Sequence, residues 1–203
     1  MTRYGRAIST TTAIIAIVVI ILAVVLIALY IQNISRTGGY QTTSPPAQTT
    51  PSSAGGTKLP YDASSKTVFV TLETVTTQLD FNGTSGGRLV IYIPAGWNLE
   101  ITYYNKDPTL SHSVGIIKNT TAKPKSTNPT KDGQLIAWAP DSSKGESGFI
   151  EGIDPGQSTV LKASSVAEGI YWIACGVPAH AVGGMWIVLV SSSSVSEPYY
   201  IKT

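Results

Sequence analysis

From residue 58 onward the chain is written in short apolar runs with a period of two, and this most limits what it can fold into. In Asn98–Asn105 (NLEITYYN), Leu99, Ile101 and Tyr103 alternate with Glu100, Thr102 and Tyr104. Successive side chains of a strand point to opposite faces, so such a run has one face for a core and one for water. Similar runs recur at Thr67–Glu73, Arg88–Ile93, Ser113–Lys118, Leu135–Ala139, Ser158–Ala163, Gly169–Cys175 and Met185–Val190. Most are rich in β-branched or aromatic residues and bounded by Gly, Pro, Asn or Asp. No stretch in this part carries a capped helical stripe. Eight strands at this spacing predict an all-β fold: two packed antiparallel sheets with Greek-key connections.

The N-terminal part is of another kind. Residues 7–35 carry no charge, and Ala13–Ile31 is continuously apolar. Nineteen such residues at helical rise can cross a bilayer core of about 30 Å. A cleaved signal peptide is the competing reading, but no small-residue cleavage signature follows the run. Arg3 and Arg6 precede it and only Arg36 closely follows. The bias puts the N-terminus in the cytoplasm and the rest outside, a single-pass protein of the cell membrane. Residues 37–57 are uncharged and mostly Thr, Ser, Gly and Pro, a solvated tether with a reach of roughly 25 Å. The expected organisation is an anchor (1–36), a flexible linker (37–57) and one domain (58–203). Sequons at Asn33, Asn82 and Asn119 fit an outside location.

The domain holds 11 Lys or Arg against 12 Asp or Glu, so the whole-chain charge of +2 comes from the N-terminal arginines. That balance excludes a nucleic-acid surface, which needs clustered basic charge. One long connection, Asn119–Asp132 (NTTAKPKSTNPTKD), is too polar and proline-broken for a strand. Lysines 106, 118, 123, 125 and 131 gather there around Asp107 and Asp132, as a solvated loop or as a steering patch for an acidic partner.

Chemistry concentrates between the last two runs, in YWIACGVPAHAVGGMWIVLV. Cys175 is the only cysteine, His180 one of two histidines, and Met185 the only methionine after the first residue. The nine-residue loop between Cys175 and Met185 is rich in Gly and Pro, and can turn all three toward one point. A thiolate, imidazoles and a weak thioether suit copper, and an electron-transfer site of this kind needs a second histidine. His112, just ahead of a strand, is the only one left. Singly, each residue is more often a packing residue. Outside the cell, though, a lone thiol without a disulfide partner is better explained by ligation. A binuclear copper centre lacks its second Cys, and a multicopper oxidase its many histidines. Zinc would find Cys-His-His-Met an odd set. A Cys–His nucleophile, the enzymatic alternative, lacks a helix N-terminus to lower the thiol pKa.

Cys-x4-His-x4-Met between two strands resembles the ligand loop of the small blue copper proteins, the cupredoxins. It is most similar to that of rusticyanin and of the membrane-anchored archaeal sulfocyanins, over roughly Tyr61–Val190. The anchor, tether and lysine-bearing insertion favour the sulfocyanins. The resemblance implies a cupredoxin-like sandwich with one type 1 copper bound by His112, Cys175 and His180, Met185 being axial. It further implies an electron carrier rather than an enzyme, working in a respiratory chain at the archaeal cell surface. A quinol-oxidising complex would be the donor and a terminal haem–copper oxidase the acceptor. A surface copper-binding or delivery protein without redox role is the alternative, and a purely structural sandwich a third. Leu110, Val177, Pro178 and Trp186 are expected as an apolar surround. His180 is expected as the electron port, within a docking patch of Pro178, Ala179, Ala181 and Val182. Two positions depart from the family pattern. Ala179 replaces a frequent Gly and calls for negative φ, while Ser113 stands where many members tie the ligand segments together with Asn.

Overall fold

The computed structural model describes residues 55–140 and 145–203. The expected anchor, including Ala13–Ile31 and Asn33, and nearly all of the tether lie outside the described residues. Among those described, no helix is long and apolar enough to cross a membrane.

Among the described residues eleven strands form two sheets. In chain order they are β1 (Thr57–Lys58), β2 (Tyr61–Asp62), β3 (Thr67–Thr74), β4 (Leu89–Pro94), β5 (Asn98–Asn105), β6 (Val114–Asn119), β7 (Gly133–Ala139), β8 (Ser158–Ala163), β9 (Gly169–Ala174), β10 (Trp186–Ser192) and β11 (Tyr199–Lys202). The larger sheet runs β1-β11-β4-β10-β9-β6-β7 and the smaller β2-β3-β5-β8. All eight expected runs are strands, with ends displaced by a residue or two. The expectation of purely antiparallel sheets is corrected, because β3 pairs β5 and β10 pairs β4 in parallel. Both parallel pairs join strands that are not consecutive in the chain. That leaves room for a crossover, which parallel pairing requires.

Alternation directs the packing. Leu99, Ile101 and Tyr103 of β5 face Val68, Val70 and Leu72 of β3 and Ile91, Ile173, Ile187 and Leu189 of the other sheet in one core. Each fully buried Leu or Ile stabilises the fold by roughly 1.5–3 kcal/mol. Tyr103 brings a hydroxyl into that core, and Thr74 Oγ1 meets it at 2.9 Å.

A smaller cluster lies apart from the main core, where Trp172, Ala174, Ile117 and Ala181 pack with Phe149. Phe149 belongs to the one short α-helix among the described residues, α1 (Glu146–Glu151), a turn and a half with no periodic signal. The ring seats on two glycines. A Cβ at Gly115 or Gly176 would lie 2.6 or 2.5 Å from it, closer than carbon atoms approach.

The insertion after β6 is folded around a carboxylate. Asp132 Oδ2 accepts from the backbone N–H groups of Lys125 and Ser126, both at 2.7 Å, and Oδ1 from the Ser126 hydroxyl at 2.8 Å. Asn128 caps a 3-10 turn over Pro129–Asp132, its side chain accepting from Thr130 N–H. Asp132 is buried, and its charge acts on Lys125 from within the segment. Burial works against its ionisation, but the Ser126 and Lys125 N–H groups and the Ser126 hydroxyl hold its pKa below the usual value. A lowered folded pKa contributes stability above the unfolded value of about 3.9 and loses it as pH falls through the folded one. Asp132→Asn should therefore lose about 1–3 kcal/mol near neutral pH. The deficit should shrink toward zero at pH values low enough to protonate the native carboxyl. Denaturant titrations of both proteins across that range check this.

Candidate metal centre

Period-two alternation decides where the thiol points. Tyr171 and Ile173 of β9 face the main core while Trp172 and Ala174 face the outer cluster. Cys175, the next residue, therefore points inward and is fully buried. Antiparallel pairing of β9 with β10 then brings Met185 back beside it: Cys175 N–H donates to Met185 O at 3.1 Å. Met185 N–H donates to His180 O at 2.9 Å, so the loop folds back on its own base. The Met185 side chain is buried in the same cluster as Cys175.

Residue 112 arrives from the other ligand segment, ahead of β6. A two-residue bridge fixes it, with His112 N–H donating to Ile153 O and Ile153 N–H to His112 O. A side chain at Gly152 (φ +76°) would strike the His112 backbone.

The sequence separated these residues by up to 68 positions, and the fold assembles them. The two Nδ1 atoms of His112 and His180 lie 3.1 Å apart, and Cys175 Sγ is 3.6 Å from Nδ1 of His180 and 4.0 Å from that of His112. All three donor atoms fall within 4.8 Å of one another, a group that can hold a metal ion.

The protonation pattern tests the fit. Nε2 of His112 meets Asp107 Oδ2 at 3.1 Å with both side chains fully buried. Burial works against ionising Asp107, but the N–H groups of Thr109 and Leu110, the Thr109 hydroxyl and His112 hold its pKa down to about 2. An ionised carboxylate only accepts, so Nε2 of His112 carries a hydrogen, and in the neutral ring Nδ1 presents a lone pair to His180 and Cys175. Burial, and after it the neighbouring His112, lower the His180 pKa to about 4. That ring stays an unprotonated donor well into acid. Burial pushes the Cys175 thiol up to about 11, against the pull of hydrogen bonds from Ser113 and Val177. A metal that takes the thiolate must displace that proton. One soft sulfur and two imidazole nitrogens, buried and converging, fit a single copper ion.

Ser113 answers one departure from the family pattern. Its backbone N–H points to Cys175 Sγ at 3.4 Å, and its hydroxyl accepts from Gly176 N–H at 2.8 Å while lying 3.8 Å from the sulfur. A serine thus ties the ligand segments together. The other departure is corrected: Ala179 has φ +71°, not the negative value expected. An L-residue there costs roughly 1–2 kcal/mol. Ala179 N–H donates to Thr127 O at 2.8 Å and its carbonyl accepts from Gly183 N–H at 2.9 Å, which hold the turn.

Three further expectations change. Ala181 is fully buried in the Phe149 cluster and is no surface residue, whereas Pro178, Ala179 and Val182 are exposed and His180 is half-buried. Trp186 packs with that outer cluster and over Gly87, so it is not an inner wall of the site. Asp107, placed among surface charges in the sequence reading, is the carboxylate that orients His112. Its position five residues ahead of His112, in a DPT turn, was the available signal.

Residues 54–202 match the Sulfocyanin (SoxE) domain family. The chain is 36% identical to sulfocyanin of Sulfolobus acidocaldarius over 146 residues, covering 70% of this chain and 72% of that protein. Among solved structures it is similar to reduced rusticyanin (TM-score 0.47, 22% identity, 64% of this chain and 81% of that one). It is also similar to auracyanin from Roseiflexus castenholzii (TM-score 0.45, 20% identity, 61% and 95%). With the domain matched almost from end to end and more than a third of the aligned residues shared, the chain belongs to the sulfocyanin family.

Proposed function

We propose that this protein carries single electrons through one type 1 copper, which Nδ1 of His112, Sγ of Cys175 and Nδ1 of His180 would hold, with Met185 as a weaker fourth ligand. The convergence of those three buried donor atoms within 4.8 Å carries the reading. Bound there, copper supplies a centre that alternates between Cu(II) and Cu(I).

The protein's part is to keep the ligands still. A carrier is fast when its surroundings rearrange little between oxidation states. Asp107 fixes the ring of His112, the Ser113 and Met185 hydrogen bonds fix the loop, and Phe149 packs onto Gly176 beside the thiolate. The Ser113 N–H aimed at sulfur and the apolar burial favour the reduced state and raise the potential. Of the two imidazoles only His180 reaches the surface, so electrons would enter and leave along its edge, between Pro178, Ala179 and Val182. Contact over so small an apolar patch suits a transient partner.

The expected anchor and tether would hold the domain at the outer face of the cell membrane and raise its local concentration near membrane redox complexes. By family resemblance those would be a quinol-oxidising donor and a haem–copper oxidase acceptor. A copper-delivery protein would use similar ligands but needs an open, exchangeable site, whereas Cys175 and His112 are fully buried.

Substitutions at three positions test the account. Met185→Leu should leave an intense blue copper–thiolate band in place while shifting the reduction potential upward; an unmoved potential would remove Met185 from the ligand set. Asp107→Ala should weaken copper binding by roughly 10–100-fold in competition with a chelator, and Asp107→Asn by less. Val182→Glu should slow electron exchange with the membrane partner while the colour is kept, and unaltered rates would place the port elsewhere.

A further inference from the structure

The insertion between β6 and β7 is physically joined to the ligand loop. Thr127 O accepts from Ala179 N–H at 2.8 Å, and Ala179 immediately precedes His180. Lys118, Lys123, Lys125 and Lys131 are all exposed on this segment. From Ser113 to Pro140 the only carboxylate is Asp132, buried and occupied by three hydrogen bonds from the insertion itself. Of the other described lysines, Lys58 pairs with Glu197, Lys106 with Glu73 and Lys162 with Glu100, while Lys66 and Lys202 stand apart from the insertion and from each other in sequence. Lys106 thus drops out of the five lysines grouped by sequence. Among the described residues no carboxylate forms an ion pair with any of the remaining four.

Positive charge held this way has a use if a partner brings the opposite sign. Asp132 gives the segment its shape from within, and its single buried charge, which acts on Lys125, leaves the four lysines in excess. The Thr127–Ala179 hydrogen bond ties the insertion, two residues from Lys125, to the residue just ahead of His180. Such a patch steers an anionic surface toward the port, an effect screened beyond about 8–10 Å in physiological salt.

On the electron-carrier reading above, we propose that the 118–131 segment is the docking element for the redox partner. That partner would present a carboxylate-rich face beside its own electron port, with exposed Pro178, Ala179 and Val182 making the apolar contact between them.

The test uses the full chain, reduced with copper bound and mixed by stopped flow with two oxidants of opposite charge. Hexacyanoferrate(III) is the anion and tris(phenanthroline)cobalt(III) the cation. Each takes one electron, becoming Fe(II) or Co(II) as the site goes from Cu(I) to Cu(II). In Lys123→Glu/Lys125→Glu, oxidation by the anion should slow ~10-fold at low ionic strength and oxidation by the cation should quicken. Both differences should fade with salt. Lys66→Glu is the control. Lys66 precedes β3 at the end remote from the ligand loops, eight residues and roughly 25 Å of strand away, and its rates should stay near wild type. Polyglutamate should slow the wild type toward the anion and leave the double variant unaffected. Anion rates in the double variant matching those of Lys66→Glu, or equal sensitivity of both proteins to polyglutamate, would overturn the docking proposal alone. If neither oxidant accepts an electron from the copper-bound wild type, the electron-carrier reading itself fails.

Discussion

Everything at the metal centre depends on the closure of the β9–β10 hairpin at its mouth. Cys175 N–H to Met185 O, and Met185 N–H to His180 O, close a nine-residue loop on itself. The two paired strands behind it, buried along alternate residues, supply a base that cannot shift by one position without turning Cys175 out of the core. That constraint fixes three of the four expected ligands by backbone pairing alone. The fourth, His112, is brought in by its bridge to Ile153 and held to the hairpin by the Ser113–Gly176 hydrogen bond. The close approach of two segments 63 residues apart is what makes the site a property of the fold.

The surroundings of the site divide into a buried half and an exposed half. Asp107, Ser113 and His112 form a fully hydrogen-bonded polar network inside the sandwich, costly to bury unless every member is satisfied. His180 stands between that network and solvent. Outside it, the loop edge is small and apolar, and the lysine insertion leans on it through Thr127 and Ala179. The positive φ of Ala179 belongs to this arrangement: the loop gives up some backbone freedom at the residue where the insertion docks.

Much of this was legible in the sequence because it is local. Alternation in NLEITYYN marks β5 and its inward face, and similar runs mark seven more strands. The Cys-x4-His-x4-Met spacing selects the ligand loop. Strand direction was not legible, since pairing β3 with β5 in parallel is decided by distant partners. The short strands β1, β2 and β11 exist because a neighbouring edge was available, and α1 because Phe149 found a seat on Gly115 and Gly176. Ala181 reads as a surface residue until the outer cluster shows what covers it. Asp107 and Asp132 read as surface charges because composition cannot show that a carboxylate is satisfied from within. Both prove to organise structure, one around His112 and the other around the lysine segment.

The most direct test of the central claim is a titration of the full chain with one equivalent of Cu(II), followed by visible absorption and electron paramagnetic resonance. The structure predicts an intense blue thiolate-to-copper band with narrow hyperfine splitting, both lost in Cys175→Ser. A pale, weak Cu(II) signal indifferent to that substitution would contradict the account. It would leave the Cys-His-His convergence as packing within a sandwich.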